Sequence, residues 1–269
     1  MDILEKIIET KRQELTFAKK RSLKRALAES PSGIIAEFKR KSPSKGWIHA
    51  DAFPEEVVPA YAKAGAAALS VLTDEQYFGG SLDFIRRVRP LVDIPILRKD
   101  FIIDPYQLYQ AREAGADAVL LIAACLSREA CAALTAEAHR LGLEVLLEVH
   151  SPEELDYITP DIDVVGVNNR HLGSFVTDVQ TSFDMAPLLS SRADRNYFSG
   201  KFAEKPISAQ PSTTPAHATG PIMISESGIS DPATVRALRE VGYRGFLMGE
   251  NFMKEPDPGA ALATFIHAL

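Results

Sequence analysis

Short apolar runs recur along the chain, separated by stretches whose apolar residues fall at helical spacing. The runs lie at Ile34–Lys39, Ala67–Leu72, Ile94–Lys99, Ala118–Ile122, Leu143–Val149, Val164–Val167, Ile222–Glu226 and Phe246–Met248. Each has the length of a strand and is apolar on both faces, which reads as a strand covered on both sides. Three share one punctuation: a helix-like stretch ends at Gly65, Gly115 or Gly242 and the apolar run begins a few residues later. Glycine tolerates the left-handed conformation that closes a helix, so the repeated unit is helix, turn, buried strand. Parallel strands need crossovers, and helices between buried strands supply them. Eight such units, with no Gly-x-Gly-x-x-Gly after the first run, predict an α/β fold: a closed (β/α)8 TIM barrel forming one domain over residues 1–269. Ile3, Leu4, Ile7, Ile8 and Leu15 predict an N-terminal helical extension within residues 1–30. Residues 191–220, with Pro206, Pro211, Pro215 and Gly220 and little periodicity, predict a long irregular insertion before the seventh strand.

Several runs end in charge. Side chains alternate along a strand, so Ile35, Glu37 and Lys39 share one face. If that face points inward, Glu37 and Lys39 stand at the carboxyl end of the strand, where barrel enzymes place their chemistry. Other runs end the same way, in Lys99, in Glu148, in Asn168-Asn169-Arg170 and in Ser225-Glu226-Ser227-Gly228. A single polar strand end is ordinary, but five at one end of a barrel mark a site. The loops through Ser227-Gly228 and Gly249-Glu250 follow the seventh and eighth strands, where barrels bind phosphate through backbone N–H groups, and glycine lets the backbone approach the anion.

Composition narrows the chemistry. Hydrophobic residues at 46% and charged residues at 25% are those of a globular protein, and a net charge of −6 argues against a nucleic-acid or anionic-membrane surface. No apolar run approaches the roughly 18 residues of a membrane helix, and Met1-Asp2 does not open a basic-then-apolar leader, so a cytoplasmic protein is expected. Cys125 and Cys131 lack a metal-ligand spacing, and the six histidines form no paired motif, so neither a disulfide nor a metal is expected. Lysines, an arginine and glutamates, without an obvious Ser/His or Cys/His pair, suit acid–base work on a small anionic substrate. A lysine near other cations is expected to lose its proton more easily, and a buried glutamate to hold its own more tightly. Schiff-base formation by Lys99 or Lys39 stays open on the residues alone.

Glu37-Phe38-Lys39-Arg40-Lys41-Ser42-Pro43-Ser44, Arg98-Lys99-Asp100-Phe101, Leu147-Glu148-Val149, Gly166-Val167-Asn168-Asn169-Arg170 and Ser225-Glu226-Ser227-Gly228-Ile229 resemble the motifs of the indole-3-glycerol phosphate synthase family. The resemblance covers nearly the whole chain, including the amino-terminal extension. It implies a carboxy-lyase of tryptophan biosynthesis, needing no metal or organic cofactor. The substrate would be 1-(2-carboxyphenylamino)-1-deoxyribulose 5-phosphate, closed to an indole with loss of carbon dioxide and water. It implies Lys99 as the acid that protonates the ribulose carbonyl, Glu148 as an acid–base group, Glu37 and Lys39 as assistants, and Asn168 and Arg170 as groups that orient the substrate. Ser42 would lie on a mobile first loop, Phe101 would shape the anthranilate pocket, and Ser227, Gly228, Gly249 and Glu250 would face the phosphate. Some family members carry a small hydroxyl residue where Glu250 stands. A carboxylate repels phosphate, so Glu250 is expected to offer its backbone N–H with the side chain turned out. The 191–220 insertion is longer than the family's usual connection. Two rivals are a phosphoribosylanthranilate isomerase-like enzyme, whose chemistry usually rests on a Cys and Asp pair, and a barrel that binds a phosphometabolite without turning it over. The set Glu37, Lys39, Lys99 and Glu148 argues against both.

Overall fold

The computed structural model describes residues 3–6, 21–171, 173, 176–198 and 220–269. Each of the eight apolar runs forms a strand: β1 (Ile34–Phe38), β2 (Ala68–Leu72), β3 (Ile96–Lys99), β4 (Ala118–Ile122), β5 (Glu144–Val149), β6 (Val164–Asn168), β7 (Ile222–Glu226) and β8 (Gly245–Met248). All pair in parallel, and β1 hydrogen-bonds to both β2 and β8, which closes the barrel.

The connecting helices are α1 (Leu23–Glu29) ahead of the barrel, α2 (Pro54–Lys63), α3 (Leu82–Val88), α4 (Pro105–Ala114), α5 (Arg128–Arg140), α6 (Gln180–Phe198), α7 (Pro232–Glu240) and α8 (Pro258–His267). Between β5 and β6 a 3-10 turn, Pro152–Tyr157, stands where a helix would. The punctuation residues act as the sequence predicts. Gly115 closes α4 at φ +94°, and Gly65 and Gly242 also take left-handed backbone. At the other end of α4, Asp104 and Gln107 form a reciprocal capping box.

Two apolar cores result. One fills the space between strands and helices, where Phe38, Val71, Val119 and Leu147 meet residues such as Tyr61, Ile85 and Leu134. The other fills the barrel interior with Ile35, Leu97, Leu146 and Ile224, together with Leu120, Val164 and Leu247. Leu23 and Leu27 of α1 join this interior core, both essentially inaccessible to solvent, and α1 also donates Lys24 N–H to Glu144 Oε2 at 2.9 Å. Alternation then fixes what lies above the apolar layer. Two residues beyond Ile35, Leu97, Leu146 and Ile224 stand Glu37, Lys99, Glu148 and Glu226, all from odd-numbered strands. Barrel interiors pack in such layers from alternate strands, and here the layer at the carboxyl end is ionic.

The predicted extension is partly described: residues 3–6 and α1 are helical, while residues 7–20, with Ile7, Ile8 and Leu15, lie outside the described residues. The irregular insertion begins later than the sequence predicts. Helix α6 runs through Phe198, so residues 191–198 are helical and continue a helix whose Met185, Ala186 and Leu189 are buried in the core between strands and helices. Residues 199–219 of the insertion lie outside the described residues.

Because Leu27 belongs to the interior core, Leu27→Ala is expected to lower the unfolding free energy by about 2–5 kcal/mol. Urea denaturation followed by circular dichroism would measure this, and a change within error of zero would mean that α1 is not part of the core.

Candidate active site

A cavity of about 850 Å³ opens at the carboxyl end of the barrel, and the residues singled out from the sequence all line it: Glu37, Lys39, Ser42, Lys99, Phe101, Glu148, Asn168, Arg170, Ser227, Gly228, Gly249 and Glu250. The floor is the ionic layer. Lys99 Nζ donates to Glu148 Oε2 and to Glu226 Oε2, both at 2.7 Å. Glu148 Oε1 accepts from Asn168 Nδ2 at 3.1 Å. Lys39 Nζ lies 2.8 Å from Glu37 Oε1, and Ser70 Oγ donates to Glu37 Oε2 at 3.4 Å.

Burial and charge act against each other here. Burial alone would strip the proton from Lys99, but Glu148, Glu226 and Glu37 reverse that and hold the ammonium more tightly than usual. The expectation of an acidified Lys99 is thereby corrected, because its neighbours are carboxylates and not cations. Glu148 departs likewise from the raised value expected of a buried glutamate: burial opposes its charge, yet Lys99 and then His150 hold it well below the usual carboxylate range. Glu226 carries the upward shift instead. Burial and the Glu148 charge push it up to about 7 against the pull of Lys99.

Glu226 lies inside a quoted motif but was not singled out, although two signals mark it. It stands two residues beyond the interior Ile224, as Glu37, Lys99 and Glu148 stand beyond Ile35, Leu97 and Leu146. Its space is opened by a glycine in mid-strand: a Cβ on Gly166 would come within 2.1 Å of Glu226 Oε1. Gly249 does the same for Glu37, whose Oε1 would meet a Cβ at 2.7 Å.

Neighbouring contacts fix the strand ends. Arg98 and Asp100 flank Lys99, pair at 2.9 Å, and both bond to Thr73 Oγ1, which ties β3 to the end of β2. Buried Asn169 donates to Ser225 Oγ and to the Ser227 carbonyl, each at 3.0 Å, and accepts from Ser182 N–H and Oγ. The anchored loop holds Ser227 at φ +68° and Gly228 at φ +77°, two successive left-handed residues facing the cavity. Ser227 is the non-glycine residue with positive φ among the described residues, a conformation that local contacts must enforce.

The mouth is bridged by the loop after β1. A short ribbon pairs Lys41–Ser42 with Gly46–Trp47, and Arg40 pins the loop through two bonds to the Gly79 carbonyl at 3.0 and 2.8 Å. Across the cavity Arg170 donates to Ser44 Oγ at 3.0 Å, and Lys45 pairs with Glu250. The Glu250 side chain is therefore not turned out: it lines the cavity, with Arg170 at 3.9 Å, and Lys45 and Arg170 supply the positive charge that makes this tolerable. Phe101 sits at the rim, 43% exposed, beside Phe78 at 6.2 Å between ring centroids.

The family model for indole-3-glycerol phosphate synthase matches residues 4–201 and 208–265. The chain belongs to this family. A synthase of that name from Bacteroides thetaiotaomicron is 53% identical over 100% of this chain and 99% of its own length. Another from Azoarcus sp. is 41% identical over 97% of both chains. Among solved structures, 3-hexulose-6-phosphate synthase from Salmonella typhimurium superposes with a TM-score of 0.55 at 13% identity, over 88% of this chain and 98% of that one. KGPDC from Streptococcus mutans gives 0.58 at 10% identity, over 87% and 95%. At such identities the two structures speak only for the barrel. The isomerase and non-catalytic readings find no support.

In this synthase the glycine at 166 is expected to serve Glu226 more than the fold. Gly166→Ala should lower kcat about tenfold or more, equivalent to about 1.4 kcal/mol or more of transition-state stabilisation, while shifting the thermal midpoint by only a few degrees. Unchanged kcat with a lowered midpoint would assign the glycine to packing alone.

Proposed function

We propose a division of labour among the floor and mouth residues for the indole-forming reaction, carried by one observation: a buried ammonium, Lys99, held 2.7 Å from each of two carboxylates at the cavity floor. The substrate enters with its anthranilate ring toward Phe101 and Phe78 and its phosphate toward Ser227, Gly228 and Gly249, where the left-handed Ser227-Gly228 pair turns backbone N–H groups to the anion. Arg170 and Asn168 orient the ribulose hydroxyls and carbonyl. Lys39 faces the substrate carboxylate, for which it exchanges its pairing with Glu37.

Ring closure joins the carboxylate-bearing aryl carbon to the ribulose carbonyl carbon, and Lys99 gives its proton to the carbonyl oxygen. Carbon dioxide leaves, and the aryl ring regains its electron pair. The new hydroxyl then leaves as water when Glu226, whose affinity for a proton lies near neutrality, protonates it. Glu148, held ionised, takes the C–H proton whose loss completes the indole. Lys99 thus works as an acid because substrate binding between it and its carboxylates weakens the interactions that hold its proton. The phosphate competes with Glu250 for Lys45 and Arg170, which couples binding to rearrangement of the loop after β1.

Purified protein treated with chelator should form indole-3-glycerol phosphate from 1-(2-carboxyphenylamino)-1-deoxyribulose 5-phosphate, read by indole fluorescence. Lys99→Ala should lower kcat by a factor of about 100 or more with the circular dichroism spectrum retained, and near-normal turnover would remove Lys99 from the mechanism. Inorganic phosphate should inhibit competitively at millimolar concentration. Absence of inhibition there would displace the phosphate from the Ser227–Gly228 loop.

A further inference from the structure

The reaction takes up a proton from solution in every turnover. Two protons are needed to turn the carbonyl oxygen into water, and only one returns from the C–H bond that is broken. The third participant, the carboxylate, leaves as neutral carbon dioxide and takes its negative charge out of the balance. One proton must therefore reach the floor from outside, beneath a mouth bridged by the Lys45–Glu250 and Arg170–Ser44 contacts.

We propose that His150 and Glu154 form the proton inlet of this site, passing one proton per turnover from solvent to Glu148 and thence to Lys99. The proposal rests on the roles assigned above to Lys99 and Glu148. His150 follows β5 two residues beyond Glu148, on the same face of the strand. Its Nε2 lies 3.2 Å from Glu148 Oε1 and its Nδ1 3.5 Å from Glu154 Oε2. Glu154 is on the 3-10 turn after β5 and is tied to the strand end, accepting the His150 backbone N–H at 2.6 Å. Neither His150 nor Glu154 lines the cavity. The line Glu154, His150, Glu148, Lys99 thus runs from outside the cavity to its floor, with side-chain exposure falling from 18% at Glu154 to 11% at His150 and 4% at Glu148.

Both ring nitrogens are closed to solvent and each faces a carboxylate, so the imidazole sits between Glu148 and Glu154. That is the arrangement a shuttle needs. The other groups around this line are Cys125, whose thiol is pushed up by burial and then by Glu148 and Glu154, and Lys99 beyond Glu148. Burial disfavours the imidazolium, but the two carboxylates outweigh it and push His150 up to about 9, so the ring carries its proton throughout the neutral range. In the transfer the His150 Nε2–H bond breaks as the Glu148 Oε1–H bond forms. The Glu154 carboxylate takes a proton from hydronium or a buffer acid and passes it to the neutral ring, which turns to receive it, and Glu154 is left ionised as before. This proton and the C–H proton that Glu148 hands to Lys99, 2.7 Å from Glu226, together restore Lys99 and Glu226.

Glu154→Gln tests this without removing the imidazole, since the amide oxygen can still accept the His150 N–H. Steady-state turnover reads the reloading of Lys99, which a single turnover with enzyme in excess does not require. The expected result is a fall in kcat of about tenfold or more with the single-turnover rate and substrate affinity unchanged, kcat recovering as the concentration of imidazole buffer is raised. His150→Ala should show the same rescue and lose the decline in rate that the parent shows above about pH 9. A Glu154→Gln kcat equal to the parent, or a loss that buffer does not restore, overturns the inlet. Failure of the parent protein itself to form product would instead overturn the reading of the site on which the inlet rests.

Discussion

The Lys99 ammonium is the constraint on which the site depends. A charge removed from water costs several kcal/mol unless it is paired, and breaking one side of a buried pair costs about 3–5 kcal/mol. Glu148 and Glu226 meet that requirement at 2.7 Å each, and β5 and β7 have to hold them there. The barrel achieves this by register, with no special loop. Side chains from odd-numbered strands share layers, and the ionic layer sits two residues above an apolar layer of Ile35, Leu97, Leu146 and Ile224. Below, α1 supplies Leu23 and Leu27 to the same interior core. Packing underneath and charge compensation above are consequently one structural problem, solved by the same alternation.

That alternation is also why so much could be read from the chain. Eight both-sided apolar runs separated by helical stretches permit few architectures, and the alternation of side chains along each strand sends Glu37, Lys39, Lys99 and Glu148 to one end of one cavity. The ion pairing itself was not legible. Lys99 looked like a lysine among cations because Lys39 and Arg170 end their runs at the same end of the barrel, while nothing in the sequence says which strand ends meet the Lys99 ammonium. Its real neighbours come from strands 49 and 127 residues distant. Glu226 was hidden among Ser and Gly residues that advertised a loop, and the signal that reveals it, Gly166, lies on the neighbouring strand β6. The helical start of the 191–220 segment was obscured by Ser191, Arg192, Asp194, Arg195 and Asn196, which show no apolar periodicity and continue a helix begun by buried apolar residues upstream.

The Ser227–Gly228 loop shows a different use of buried polarity. Asn169, Ser182 and Ser225 satisfy one another behind the barrel wall, and Tyr243 completes the set by donating to the Ser182 carbonyl at 2.7 Å. Fully satisfied networks of this kind fix a single geometry. Here the geometry they fix is Ser227 in a left-handed conformation that a serine does not adopt unaided, so the strain at the cavity is sustained by hydrogen bonds made behind it.

The charges at the mouth follow the same economy. Lys45 and Arg170 face Glu250, and Lys39 faces Glu37, so each cation that suits a substrate anion already has a carboxylate partner. Under the proposed mode of binding, a substrate anion exchanges one ion pairing for another instead of creating a new one, and the net electrostatic gain is small relative to the strength of each contact. What such an exchange does supply is discrimination. A ligand lacking either the phosphate or the carboxylate would leave Glu250 or Glu37 competing successfully for the cation, and the corresponding part of the site would stay closed to it. In that proposed mode, selectivity for a molecule anionic at both ends comes from the protein's own carboxylates, which set the threshold that each end of the substrate must exceed.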